Sequence, residues 1–164
     1  MRYTLLALAL TLAACQPADE PAEAVPPMET GAAETPAAAP TAKLNLNTTP
    51  GDDFRAVPNV GDKMVHEFQE YRPWTSVGQF RREIGKYIDD DQAKLDEYLQ
   101  YVFVPVDMNE ADAETLQQLP GVSSDEAEAL IAGRPYASSD EFLTAYESIS
   151  GEPDAEAART YLAQ

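Results

Sequence analysis

The side chains able to do chemistry are few, and their spacing excludes most of it. Among 164 residues His66 is the sole histidine and Cys15 the sole cysteine, so no His/Cys set can assemble a zinc site. Asp89-Asp90-Asp91 is a run of carboxylates, but no ligands recur at the spacing of a calcium loop. Acids just ahead of Leu95 are ordinary charge at a helix start. Carboxylate pairs occur throughout so acidic a chain, and none marks acid–base work. Arg72 and Arg134 each precede a proline, and a repeated Arg-Pro turn reads as structural before it reads as a phosphate contact. Trp74 and Tyr136 follow those prolines and read as core plugs before base-stacking platforms. Without a nucleophile–base pair or a metal set, the chain is expected to be non-enzymatic and to need no cofactor.

Charge narrows the partners. The net charge is −18, which favours solubility and repels polyanions. It is unevenly placed. Residues 43–103 carry eight Lys/Arg against eleven Asp/Glu, residues 104–164 carry two against thirteen, and residues 16–42 carry five acids and no base. If any part meets an anion, it is residues 43–103.

The elements that would position these groups are written twice. Shifted by 62 residues, Asn47 to Phe80 lies on Asn109 to Phe142 without a gap. Asn47, Pro58, Val60, Arg72, Pro73, Ser76 and Phe80 fall on Asn109, Pro120, Val122, Arg134, Pro135, Ser138 and Phe142. An ungapped match of turn residues and apolar positions together indicates one structural unit repeated. At about 60 residues a lone unit is marginal, so packing of one copy on the other is plausible. In each unit the pattern predicts four short helices. The first opens at Thr49 as N-cap with Pro50 behind it, and buries Phe54 and Val57. Pro58-Asn59-Val60-Gly61 turns the chain into a second helix with Val65 and Phe68 inward, running to about Tyr71. Ser76 with Gln79, and Ser138 with Glu141, fit capping boxes for the third. The fourth is lined by Leu95, Leu99 and Val102 in one copy and by Ala157, Tyr161 and Leu162 in the other. The run Tyr101–Val106 joins the copies; with Pro105 in it and no partner in view, it reads as a packed linker rather than a strand. The expected fold class is all-α.

The two turns, Val57-Pro58-Asn59-Val60-Gly61 and Leu119-Pro120-Gly121-Val122-Ser123, with Leu-Asn-Leu-Asn ahead and Arg-Pro-aromatic-x-Ser behind, are similar to the helix-hairpin-helix domain of the competence DNA-receptor (ComEA-like) family. The resemblance covers residues 43–164 as two copies. It implies that amides of a Gly-hydrophobic-Gly hairpin, at the start of the second helix, meet a DNA phosphate, as a nest of N–H groups and a helix dipole allow. The sequence departs from that pattern at Asn59 in the first hairpin and at Ser123 in the second. Asp62 follows the first, and Asp125 and Glu126 open the helix after the second, where a carboxylate takes the anion's place. Cations adjoin only the first: Lys63 and Arg55. The resemblance therefore assigns double-stranded DNA binding to Asn59, Val60, Gly61, Lys63 and Arg55. Gly121, Val122 and Ser123 form a degenerate second hairpin.

At the start of the chain, Arg2 precedes an apolar run from Leu5 to Ala14, too short for a membrane span and suited to a signal-peptide core. Leu12-Ala13-Ala14-Cys15 resembles the bacterial lipobox, which implies lipidation of Cys15. Gln16 after it looks like outer-membrane sorting. Residues 16–42, rich in Pro, Ala, Glu and Thr, have too little to bury for folding and are expected to be a disordered tether, reaching on the order of 30 Å as a coil and roughly 80 Å as polyproline.

The expected organisation is a lipoprotein signal peptide (1–14), a lipidated Cys and tether (15–42), and helix-hairpin-helix modules at 43–104 and 105–164. The expected place is the cell envelope, anchored to the outer membrane and facing the periplasm. Two functions follow. One is DNA-backbone binding through the first hairpin. The other is an acidic protein-interaction module, its second copy docked on a basic envelope partner, with no DNA binding.

Overall fold

A computed structural model describes residues 42–163; the leader, Cys15 and the tether as far as Thr41 lie outside the described residues. The described chain is mostly helical. Strand β1 (Leu44–Asn45) precedes a 3-10 helix (Gly51–Ala56), followed by α1 (Asp62–Glu70), α2 (Val77–Gly85), α3 (Gln92–Tyr101) and strand β2 (Val102–Phe103). Then come α4 (Ala113–Leu116), α5 (Ser124–Ala132), α6 (Ser139–Ile149) and α7 (Ala155–Tyr161). No helix among the described residues is long and apolar enough to cross a membrane.

The 62-residue shift carries α1 onto α5 end to end, and Val77 at the start of α2 onto Ser139 at the start of α6. The same side chains build both copies. Asn45 and Asp107 each accept the N–H two residues on, at 2.8 Å. Asn47 clamps Trp74, accepting its N–H at 2.7 Å and donating to its carbonyl at 2.9 Å; Asn109 does the same to Tyr136 at 2.8 and 3.0 Å. Arg72 donates to the carbonyls of Leu46 and Thr49, and Arg134 to those of Met108 and Ala111. Both arginines thus fill acceptors that the turns leave unpaired, which makes them structural. Trp74 and Tyr136 are buried, and their polar tips donate to the carbonyls of Phe68 and Leu130 at 2.8 and 2.7 Å, as plugs with a polar end do.

Ser76 and Ser138 cap α2 and α6, accepting from Gln79 and Glu141 N–H. In return, the side-chain oxygens of Gln79 and Glu141 accept from the N–H groups of Thr75 and Ala137, one residue before each cap. At the first helix the sequence expectation fails. Pro50 rather than Thr49 flanks it, no side chain caps it, and its six residues are 3-10. Thr49 is already held in the preceding turn, its N–H on Asn45 and its carbonyl on Arg72. In the second copy Asp112 caps α4 through Thr115 N–H.

The Tyr101–Val106 run corrects the expectation of a linker without a strand partner, while the described chain stays mostly helical. Val102 and Phe103 pair in parallel with Leu44 and Asn45, and Val106 bridges Leu162. Each copy thus closes its last helix against the strand residue that opens it. In the fourth helix of the second copy the buried pair is Ala158 and Leu162, with Ala157 and Tyr161 only half-buried; in the first, Leu95, Tyr98 and Val102 are buried and Leu99 is half-buried.

Two buried clusters result, one from Leu46 to Val104 and one from Val106 to Leu162. The first is aromatic, with Phe68 packed against Phe54, Phe80 and Tyr98 at centroid distances of 5.3–5.8 Å. Polar bonds link the halves. Buried Thr115 accepts from Val77 N–H at 3.0 Å, and Gln118 pairs with both backbone groups of Val104. Arg81 spans Asp96 and Glu114.

Candidate functional site

Each copy turns between its first two helices through a proline and a residue with positive φ, Asn59 at 61° and Gly121 at 68°. Val60 and Val122 N–H bond back to Val57 and Leu119 carbonyls at 3.2 Å. A proline followed by a left-handed residue is what a type II turn requires. Val60 and Val122 are buried, while Asn59, Gly61, Gly121 and Ser123 are exposed. The valine therefore anchors the turn in the core and leaves the flanking backbone at the surface, at the start of α1 or α5. The structure thus brings Asn59, Val60, Gly61, Lys63 and Arg55 to one turn, and Gly121, Val122 and Ser123 to the equivalent place.

The two helix starts differ in what occupies them. In the second copy Ser123 caps α5, and the Glu126 carboxylate accepts Ser123 N–H at 2.6 Å and Gly151 N–H at 2.8 Å. These hydrogen bonds, from Ser123 first, hold the Glu126 carboxyl below its usual range. The anion of that helix start is thus part of the chain. The Ser-x-x-Glu spacing is the sequence signal for it. In the first copy the residue equivalent to Glu126 is Met64 and that equivalent to Asp125 is Lys63. Gly61 stands at the N-cap in extended backbone and no side chain caps α1. The amides of a helix's first turn have no partner within the helix.

The cations at this turn are not equally free. The Arg55 guanidinium bonds Asp62, the first residue of α1, and lies 3.4 Å from Asp52; the Asp62 contact raises its pKa above the ordinary arginine value. Lys63 is exposed, and its Nζ lies 5.1 Å from the Tyr87 ring centroid. Tyr87, in the loop after α2, had no signal in the sequence, because 24 residues separate it from Lys63.

His66 pairs with Glu70, and among the described residues no cluster of His, Cys, Asp or Glu could hold a metal. Where the halves meet, an open groove of about 360 Å³ is lined by Pro73, Trp74 and Pro105, with Asp107, Glu110 and Asp112 beside them. No known family, curated protein or solved structure matches the chain.

Proposed function

We propose that the chain is a non-enzymatic binding protein of the cell envelope, anchored by a lipid on Cys15, whose folded part is two tandem helix-hairpin-helix modules, residues 43–104 and 105–164. The first hairpin, Asn59-Val60-Gly61 with Lys63 and Arg55, contacts phosphates of double-stranded DNA, and the second is a scaffold. One observation carries this reading: Glu126 supplies an internal carboxylate to the helix start of the second copy, whereas the first has Met64 there and no side-chain cap. Asn59 keeps the left-handed turn, and Lys63 stands where the second copy has Asp125. Exposed amides and an ammonium at a helix start suit a phosphate oxygen. Affinity is limited by Arg55, which must leave Asp62 and Asp52 before it meets DNA.

Titration of the intact chain against a fluorescent duplex tests this. Log affinity is expected to fall with log salt at a slope of about −2, the signature of two phosphates neutralised, and binding is lost on Lys63→Glu. No binding at low salt would sink the DNA reading.

The groove between the halves favours a second reading, in which the acidic copy docks a basic envelope protein. Three carboxylates and no cation line that groove. Binding of a lysine-rich peptide that survives Lys63→Glu but is lost on Glu110→Lys would establish that reading; indifference to Glu110→Lys would remove it.

A further inference from the structure

Lys63, on which the DNA reading depends, is placed unlike the cations near it. Arg55, Arg82 and Lys86 lie against carboxylates, Arg55 on Asp62 and the other two on Glu83. Lys63 has Glu67 one turn along α1, a spacing that commonly gives an ion pair. Its Nζ lies instead over the ring of Tyr87. Glu67 is withdrawn from it, only 5% exposed, with an Oε2 that has no hydrogen-bond partner among the described residues. The Tyr87 hydroxyl bonds that of Tyr71 at 3.0 Å, and that bond, with the Glu67 carboxylate nearby, raises the phenol's pKa above its ordinary value. The Tyr71 and Tyr87 rings pack at 6.5 Å. A second tyrosine thus holds the phenol by its hydroxyl, and its π face takes the ammonium.

We infer that Tyr87 is a positioning residue for the phosphate contact: its ring keeps Lys63 beside the first hairpin and outside any carboxylate pair, so that its charge remains available to DNA. The inference rests on the DNA reading above. A lysine already in an ion pair must give up a carboxylate to reach a phosphate, whereas one on a π face gives up a weaker partner.

A double-mutant cycle on the intact chain, read by duplex binding at low salt, is the test. Tyr87→Leu is expected to weaken binding about two- to fivefold, the range of an exposed cation–π contact. Tyr87→Phe, which keeps the ring, retains binding. In a Lys63→Ala background Tyr87→Leu adds no further loss, since the two act as one unit. Equal losses in both backgrounds would assign Tyr87 a merely structural role and overturn the inference while leaving DNA binding in place. Absence of wild-type binding would overturn the DNA reading and this inference with it. The Lys63 side-chain methylene resonances give a readout without DNA. An upfield ring-current shift lost in Tyr87→Leu is expected, and unchanged resonances would show that the ring does not hold the lysine.

Discussion

Asn59 and Gly121 share one backbone conformation with different freedom to change. Both have φ in the left-handed region, where a side chain other than Asn or Asp is disfavoured. Around Gly121 the space is taken as well: a Cβ there would lie 2.5 Å from the Glu152 carbonyl oxygen and 3.1 Å from Ser150 Oγ. Both neighbours belong to the loop after α6, whose Ser150 hydroxyl donates to the Gly121 carbonyl at 3.0 Å. Asn59 is exposed and receives only a long bond, from the Tyr98 hydroxyl at 3.4 Å. The copies are therefore not interchangeable at this position. Gly121→Asn is expected to destabilise the protein by more than about 2 kcal/mol, since backbone atoms must move, whereas Asn59→Gly stays within about 1 kcal/mol. Urea denaturation of both variants checks this, and equal effects would show that the Glu152 approach does not constrain the turn.

At the scale of the element, the contrast between α1 and α5 is one of self-sufficiency. α5 carries its own cap and its own anion in Ser123 and Glu126; α1 has neither. Glu126 has a folded pKa below its unfolded value. A depressed carboxyl contributes stability that is present above its unfolded pKa, about 4.3, and is lost as pH falls through the folded value. The melting temperature of Glu126→Gln is thus expected to lie below wild type by a constant margin at neutral pH. The margin narrows as pH drops below about 4. A margin unchanged from pH 7 to pH 3 would mean that the carboxylate is not held by Ser123 and Gly151. Much at this scale was legible in the sequence, because caps and turns are local. Ser76, Ser138 and the left-handed tolerance of Asn59 each declare themselves within four residues. The site was legible as far as the turn and its two cations. What escaped was set by segments remote in sequence: Leu44–Asn45 as the partner of Val102–Phe103, Tyr87 beneath Lys63, and the burial of Glu67. None of these leaves a periodic trace, nor does the bond that ties the Thr49 carbonyl to Arg72, 23 residues away.

At the scale of the whole molecule, each half has its own buried cluster, and units of about 60 residues are marginal alone. What joins them is therefore a large part of what keeps either folded. Thr115 is fully buried and accepts Val77 N–H at the start of α2; Gln118 satisfies both backbone groups of buried Val104. Phe103 and Tyr161 rings pack at 4.6 Å beside them. The Arg81 bridges are exposed enough that each is worth at most about 1 kcal/mol. The buried bonds weigh more, because removing one partner strands the other away from water. Thr115→Val keeps the shape but leaves Val77 N–H unpaired, at a cost of about 1–3 kcal/mol, and Gln118→Ala leaves two Val104 groups unpaired. Wild type is expected to melt in a single calorimetric transition with equal van't Hoff and calorimetric enthalpies. The double variant should split that transition, with the less aromatic second half melting first. The two sites lie three residues apart, Thr115 in α4 and Gln118 in the turn after it, so their effects are expected to couple rather than add. A single transition that persists in the double variant would shift the coupling to apolar packing around Phe103. The halves would then hold their relative orientation, and with it the placing of the Asn59 turn against the second half, without the help of these bonds.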